Sequence, residues 1–255
     1  MRHDRIVIDK NKGIVQVTTD DERFYSKTVN GQEVWIPSVT WIADFLPKGV
    51  AFYKWLANKG WDESQALMEA GGERGTQVHN AIQMLLRGET VAYNTIVNDR
   101  ELTTDEYYCV MGFVDWYTKY KPIVEQVEQT VFSPDNRYAG TKDLQCRIGE
   151  ERWIVDFKTS ANIWPSHIIQ VSAYKHATSE QVDRLGILQL GYKRNKAGWK
   201  FTEVDDKFDL FEAAYTIWQS EMAGVQPLQK DYPLELKIDK VDPIKEVKHE
   251  TTRKK

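Results

Sequence analysis

The chain has 255 residues, 41% of them hydrophobic, and with its 15 glycines the apolar share reaches about 47%, as in soluble globular chains, which excludes collagen, disorder and miniature scaffolds. At 29.7 kDa it can bury one sizeable core, as one large domain or a domain with an appended lobe. A net charge of −4 and a pI near 5.8 argue against a strongly basic, non-specific nucleic-acid binder; two cysteines, Cys109 and Cys146, exclude a disulfide framework, a four-cysteine zinc site and a four-cysteine iron–sulfur cluster, leaving oxygen and nitrogen ligands for any metal.

The N-terminus, MRHDRIVIDK, alternates charge with short apolar stretches, and no apolar run reaches the roughly 18 residues of a membrane span, so the expectation is a soluble, cytoplasmic protein without membrane partners. RIVI, GIVQVTT and FYSKTVNGQEVWI read as strands, the last folded at Asn30-Gly31, and they predict a small β-rich lobe over 1–36. Pro37-Ser38 opens short aromatic-rich helices, with Ser38 or Thr40 as N-cap. Core packing is the expected use for most rings between Trp35 and Trp61, and base stacking on single-stranded DNA is the competing one.

Helical periodicity continues from Trp61 to Arg87, with interruptions expected at Gly71-Gly72 and Gly75, and returns over 103–120 ahead of Pro122. Strands are predicted over 123–133, 137–148 and 152–158, a helix from Pro165 to Thr178, strands over 184–192 and 199–204, and a helix over 207–223. This order predicts an α/β domain over 37–224, a mixed central β-sheet flanked by helices. The stretch 225–255 has three prolines and no periodicity, and is read as an extended or partly disordered arm. A G-x-x-x-x-G-K-[S/T] loop is absent, so no nucleotide cofactor or ATP-driven motor is expected.

The stretch YAGTKDLQCRIGEERWIVDFKTS carries the chemistry. With Gly149-Glu150 at the turn, Asp143 falls directly across from Asp156, and two opposed carboxylates need a positive charge between them. Lys158 shares the face of Asp156, while Leu144 with Val155 and Cys146 with Trp153 point to the core. Such oxygens suit Mg²⁺ or Mn²⁺, and an adjacent lysine completes the requirements of phosphodiester hydrolysis. A surface Asp–Asp–Lys cluster is the competing reading of these residues alone.

GTQVH (75–79), VEQTVF (127–132), AGTKD (139–143), VDFKTS (155–160) and QVSAY (170–174) stand in the order of the motifs of the RecB-like branch of the PD-(D/E)XK nuclease superfamily, which residues 35–195 resemble. IPSVTWIADFLPK (36–48) resembles the entry segment of phage and bacterial members. The resemblance implies a restriction-endonuclease-like core and a stand-alone DNA exonuclease of phage or bacterial replication, recombination or repair. A structure-selective endonuclease and a non-enzymatic recombination accessory are its alternatives. It makes Asp143 and Asp156 metal ligands with the Phe157 carbonyl as a candidate third, adds Glu128 and His79 to the shell of one or two Mg²⁺ or Mn²⁺ ions, and makes Lys158 the catalytic lysine. Gln170, Tyr174 and Thr159 are the implied substrate contacts. DNA, single-stranded or at duplex ends, is the implied partner, with a single-strand-binding or annealing protein as a candidate second. Glu125 competes with Glu128 from the other strand face, but the spacing of Glu128 to AGTKD fits the family. Lys142 stands where the "PD" proline would be, and the missing cysteine quartet excludes the iron–sulfur members.

Overall fold

The computed structural model describes residues 4–9, 13–18, 22–222 and 224–225; the predicted arm lies, apart from Val225, outside them. Strands β1 (Asp4–Asp9), β2 (Ile14–Thr18), β3 (Arg23–Val29) and β4 (Gln32–Pro37) form an antiparallel sheet in that order. Asn30 and Gly31 both have positive φ, 52° and 78°, as a two-residue hairpin turn matched to strand twist requires. An isolated parallel bridge from Ser38 to Ala139 ties this sheet to the next. Tyr25 and Ile36 pack on Ala139.

Ser38 caps α1 (Val39–Asp44), its Oγ accepting from Trp41 N at 3.0 Å. Helix α2 (Val50–Lys59) and helix α3 (Trp61–Leu86) meet at Gly60 (φ 78°). The interruption expected at Gly71-Gly72 and Gly75 is not there: α3 runs unbroken, because each glycine costs only about 1 kcal/mol in a helix otherwise anchored by Val78, Ala81 and Ile82. A short hairpin, β5 (Ile96–Val97) and β6 (Arg100–Glu101), was not anticipated, since two-residue strands leave no periodicity to read. Helix α4 (Thr104–Tyr120) starts with a reciprocal Thr103/Glu106 cap, and Arg100 clamps Glu106 at 2.7 and 2.8 Å.

The main sheet has the order β11-β10-β9-β8-β7, built from β7 (Ile123–Phe132), β8 (Ala139–Ile148), β9 (Glu151–Lys158), β10 (Arg184–Leu190) and β11 (Trp199–Val204). It is mixed: β10 runs parallel to β9 through the crossover helix α5 (Pro165–Ala177), and the other neighbours are antiparallel. On one face Leu144, Cys146, Trp153, Val155, Phe157 and Leu188 pack against α3 and α4 through Val78, Ile82, Phe113 and Trp116. On the other, Ile154 and Leu185 meet α1, α5 and α6 (Phe208–Met222) through Trp41, Ile169, Tyr174, Phe211 and Trp218. With both faces covered, β9 and β10 are buried without alternation. Each such aliphatic or aromatic side chain is worth about 1.5–3 kcal/mol.

Helix α5 lies so close over β8 that a Cβ on Gly140 would stand 2.5 Å from Tyr174 Cε1. The glycine of AGTKD therefore lets α5 approach the strand. Among the described residues no helix is long and apolar enough to cross a membrane.

Candidate active site

The β8–β9 hairpin has the register anticipated from its turn, with pairs from Ile148↔Glu151 to Leu144↔Val155. The ladder stops there. One step on, Asp143 Oδ2 accepts from Phe157 N at 2.6 Å, so a carboxylate takes the N–H that a continuing β8 would have bonded. The β7–β8 ladder opens at the same point: pairs flank it at Val127↔Leu144 and Gln129↔Lys142, and Glu128, opposite Asp143, has φ 48°. A left-handed glutamate inside a strand costs on the order of 1–3 kcal/mol, and such strain is characteristic of functional sites. Asp143 thus sits where the β8–β9 ladder ends and the β7–β8 ladder is locally interrupted.

Into this gap α3 delivers His79. Its Nδ1 lies 3.3 Å from Asp143 Oδ1 and its Nε2 lies 3.0 Å from the Phe157 carbonyl. Ligand atoms of His79, Glu128 and Asp143 all fall within 4.8 Å of one another. Asp156 is outside that trio and is paired with Lys158 Nζ at 2.7 Å; its side chain is 2% exposed and that of Lys158 18%.

The electrostatics follow from three carboxylates in a confined space. Burial raises the Glu128 carboxyl, with Asp143 adding, to about 7. Burial likewise lifts Asp156, and Asp143 adds to it against the pull of Lys158, to about 6. Burial opposes charge on His79, yet Asp143 outweighs it and pushes the imidazole to about 9. Asp143 is itself buried, but His79, Lys158 and the Phe157 N–H together hold it below its usual range. With both ring nitrogens facing acceptors, His79 is an imidazolium held in an acidic nest, a place that favours positive charge.

The trio lies in an open cleft of about 710 Å³. Lys158, Asp156, Gln170 and Tyr174 line it too, so the structure brings seven of the nine sequence-proposed site residues to its wall. The Phe157 contribution is a backbone carbonyl, reached through His79. Thr159 is not on the wall; its carbonyl accepts from Arg74 Nη2 at 2.7 Å. Glu125 is not on it either, its carboxylate being taken by Arg152, Arg147 and Gln145, with Arg152 chiefly holding its pKa down to about 2. On α5, Gln170 Nε2 donates to Tyr174 Oη at 2.7 Å, and burial keeps that phenol neutral by raising its pKa well above the ordinary value.

Sequence reasoning missed three groups. Gln16, Arg23 and Tyr25 come from the N-terminal sheet, with the Gln16 amide against the Arg23 guanidinium and Tyr25 Oη 3.1 Å from Thr141 Oγ1. No spacing in the sequence points from that sheet to the motifs. Thr40 and Asp44 of α1 form the rim. Ser166 and His167 of α5 were findable, since His167, Gln170 and Tyr174 follow at i, i+3, i+7 on one helix face. Burial, with Lys158 and Lys48 adding, drives His167 down to about 3, so it is neutral.

No protein-family model matches the chain, and no curated protein matches its sequence. Among solved structures, an alkaline exonuclease (LHK-Exo) from Laribacter hongkongensis is similar at 12% identity and a TM-score of 0.39, over 73% of this chain and 87% of that one. LHK-Exo in complex with dAMP is similar at the same identity and TM-score, over 72% and 86%. Function has to be argued from the cleft itself.

Proposed function

We propose that this chain is a divalent-metal-dependent deoxyribonuclease that hydrolyses phosphodiester bonds from DNA ends. The observation that carries the reading is the convergence of His79, Glu128 and Asp143 within 4.8 Å, beside the Asp156–Lys158 pair, on the wall of an open cleft. The donor set fits the metal. Two carboxylates, an imidazole and the Phe157 carbonyl are the hard and borderline ligands that Mg²⁺ or Mn²⁺ takes, and the raised pKa values of Glu128 and His79 record a demand for positive charge at that spot. Glu128, Asp143, His79 and the Phe157 carbonyl would hold the ion; the chemistry it supplies when bound is a more acidic water and charge compensation at the phosphate oxygens.

The chain's own groups do the rest. Lys158, held by Asp156, orients the attacking water and balances charge that develops on the phosphate. Tyr174 accepts from Gln170, which leaves its O–H free to donate to a phosphate oxygen. Arg23, also on the cleft wall, offers a guanidinium to a neighbouring phosphate.

The test is digestion of end-labelled linear DNA and covalently closed circles with Mg²⁺, Mn²⁺ or EDTA. Linear DNA is degraded, EDTA stops the reaction, and Lys158→Ala or Asp143→Asn lowers the rate roughly a hundredfold or more. Metal-dependent degradation that survives Lys158→Ala unchanged overturns the assignment. Cutting of closed circles replaces the exonuclease with an endonuclease.

A further inference from the structure

Between the cleft residues of α1 and those of α3 the chain makes a long excursion. From residue 45 to residue 74, through α2 and the first half of α3, Ser64 is the one fully buried residue, and α2 buries none. Yet the excursion is rich in rings. Tyr53 is 55% exposed and Trp61 67%, while Phe52 and Trp55 are half-buried with their rings 5.8 Å apart. Aromatic surface left outside every core cluster calls for a partner.

Position and charge say which partner. The excursion leaves the cleft at Asp44 and returns to it at Gly75 and Thr76. At its base Lys48 lies within electrostatic reach of His167 on the cleft's α5 wall. Trp61 is fourteen helical positions before Gly75, about 20 Å along α3, which is a span of several nucleotides. From 45 to 61 the segment carries three lysines and no carboxylate; Lys48 is paired with Asp44 at 3.0 Å and Lys59 with Glu63 at 2.7 Å, and Lys54 has no ion-pair partner among the described residues. The outer half of α3 carries Asp62, Glu63, Glu69 and Glu73 and repels phosphates, so a nucleic acid would follow the α2 side. A duplex hides its base faces inside the stack; unpaired bases offer theirs to such rings.

We propose that the α2–α3 hairpin grips the unpaired strand leading into the cleft, Tyr53 and Trp61 stacking on its bases and Lys54 facing its phosphates, so that the substrate is single-stranded DNA or a single-stranded overhang. This rests on the nuclease reading above and deepens it. The test is fluorescence anisotropy in EDTA with an oligothymidylate of about 20 nucleotides, longer than one gripping site, and a blunt duplex of equal length, using wild type, Tyr53→Ala/Trp61→Ala and Lys54→Glu. The double variant weakens oligothymidylate binding about tenfold or more and duplex binding less than about twofold. Lys54→Glu weakens it too and flattens its salt dependence. Unchanged oligothymidylate affinity, or an equal loss on the duplex, overturns the grip; the first outcome leaves the rings to a protein partner. Hydrolysis of a dinucleotide with Mn²⁺, too short to reach the hairpin, separates the two ideas. Wild type that splits no DNA but loses strand binding in the variants sinks the nuclease and keeps the grip. Dinucleotide hydrolysis with unaltered strand binding sinks the grip alone.

Discussion

Strand β9 and helix α2 are similar in their share of aromatic residues, two in eight and three in ten, and opposite in what is done with them. Trp153, Ile154, Val155, Asp156 and Phe157 are buried in succession, and nothing in α2 is. The difference follows from what each must hold. Three carboxylates, an imidazolium and an ammonium stay together only if the surroundings are too well packed to relax, so the strand that carries Asp156 and Lys158 is enclosed on both faces. A hairpin that grips a flexible polymer, as proposed for α2 and α3, needs surface, and the α2 rings are left outside the core.

This contrast is open to direct attack by mutation and by pH. The largest expected effect is Leu144→Ala, which empties a site between β8 and the α3–α4 layer and costs about 2–5 kcal/mol by urea denaturation; a loss below about 1 kcal/mol shows that the sheet is not the rigid element. Gly140→Ala comes next. It drives a methyl into the Tyr174 ring and toward Val39, costs about 1–3 kcal/mol, and lowers the proposed nuclease activity by shifting α5.

The third prediction concerns protons. Glu128, at about 7 in the folded protein against an ordinary 4.5, is an acid raised by folding, so its contribution to stability declines as pH rises from about 4.5 through 7. His79, at about 9 against 6.5, is a base raised by folding; its contribution is complete below 6.5 and is lost as pH rises through 9. Both act in one direction; His167, lowered to about 3, opposes them only below 6.5 and Lys142, lowered to about 8, only above 8, so the thermal midpoint of the metal-free protein falls between pH 6.5 and pH 8. On the proposed metal site, Mn²⁺ is expected to bind more tightly as pH rises, to release protons measurable by calorimetry in buffers of different ionisation enthalpy, and to offset the fall. A flat metal-free profile disproves the electrostatic account of the trio. The smallest effect is Tyr53→Ala, expected to shift stability by less than about 0.5 kcal/mol while altering strand binding.

Much of the site was legible before folding was considered. The Gly149-Glu150 turn and period-two alternation lead to the observed pairs from Ile148↔Glu151 to Leu144↔Val155, since register in a tight hairpin is set by the turn and the apolar pattern. The pairing of Lys158 with Asp156 follows from the same alternation. Asp143 was harder: extrapolated register sets it squarely against Asp156, whereas the ladder ends first and its carboxylate bonds the Phe157 N–H. The left-handed Glu128 and the bulge after Val124 left no signal in the periodicity of β7. The unbroken α3 shows tertiary packing overriding glycine's weak helix propensity.

Sequence alone therefore determined what depends on neighbours a few residues apart: strand pairing across a two-residue turn, an N-cap narrowed to Ser38 or Thr40, the face shared by Gln170 and Tyr174. Only the tertiary structure decided which surfaces meet across long stretches of chain. It set Arg23 of the first sheet on the cleft wall within electrostatic reach of Glu128, brought His79 of α3 to Asp143, pressed Tyr174 against Gly140, and left the α2 rings outside the core. The physical reason is that periodicity records which face of an element is apolar, and burial of that face can be satisfied by many partners. The choice among them is made by the shape and volume of the whole core.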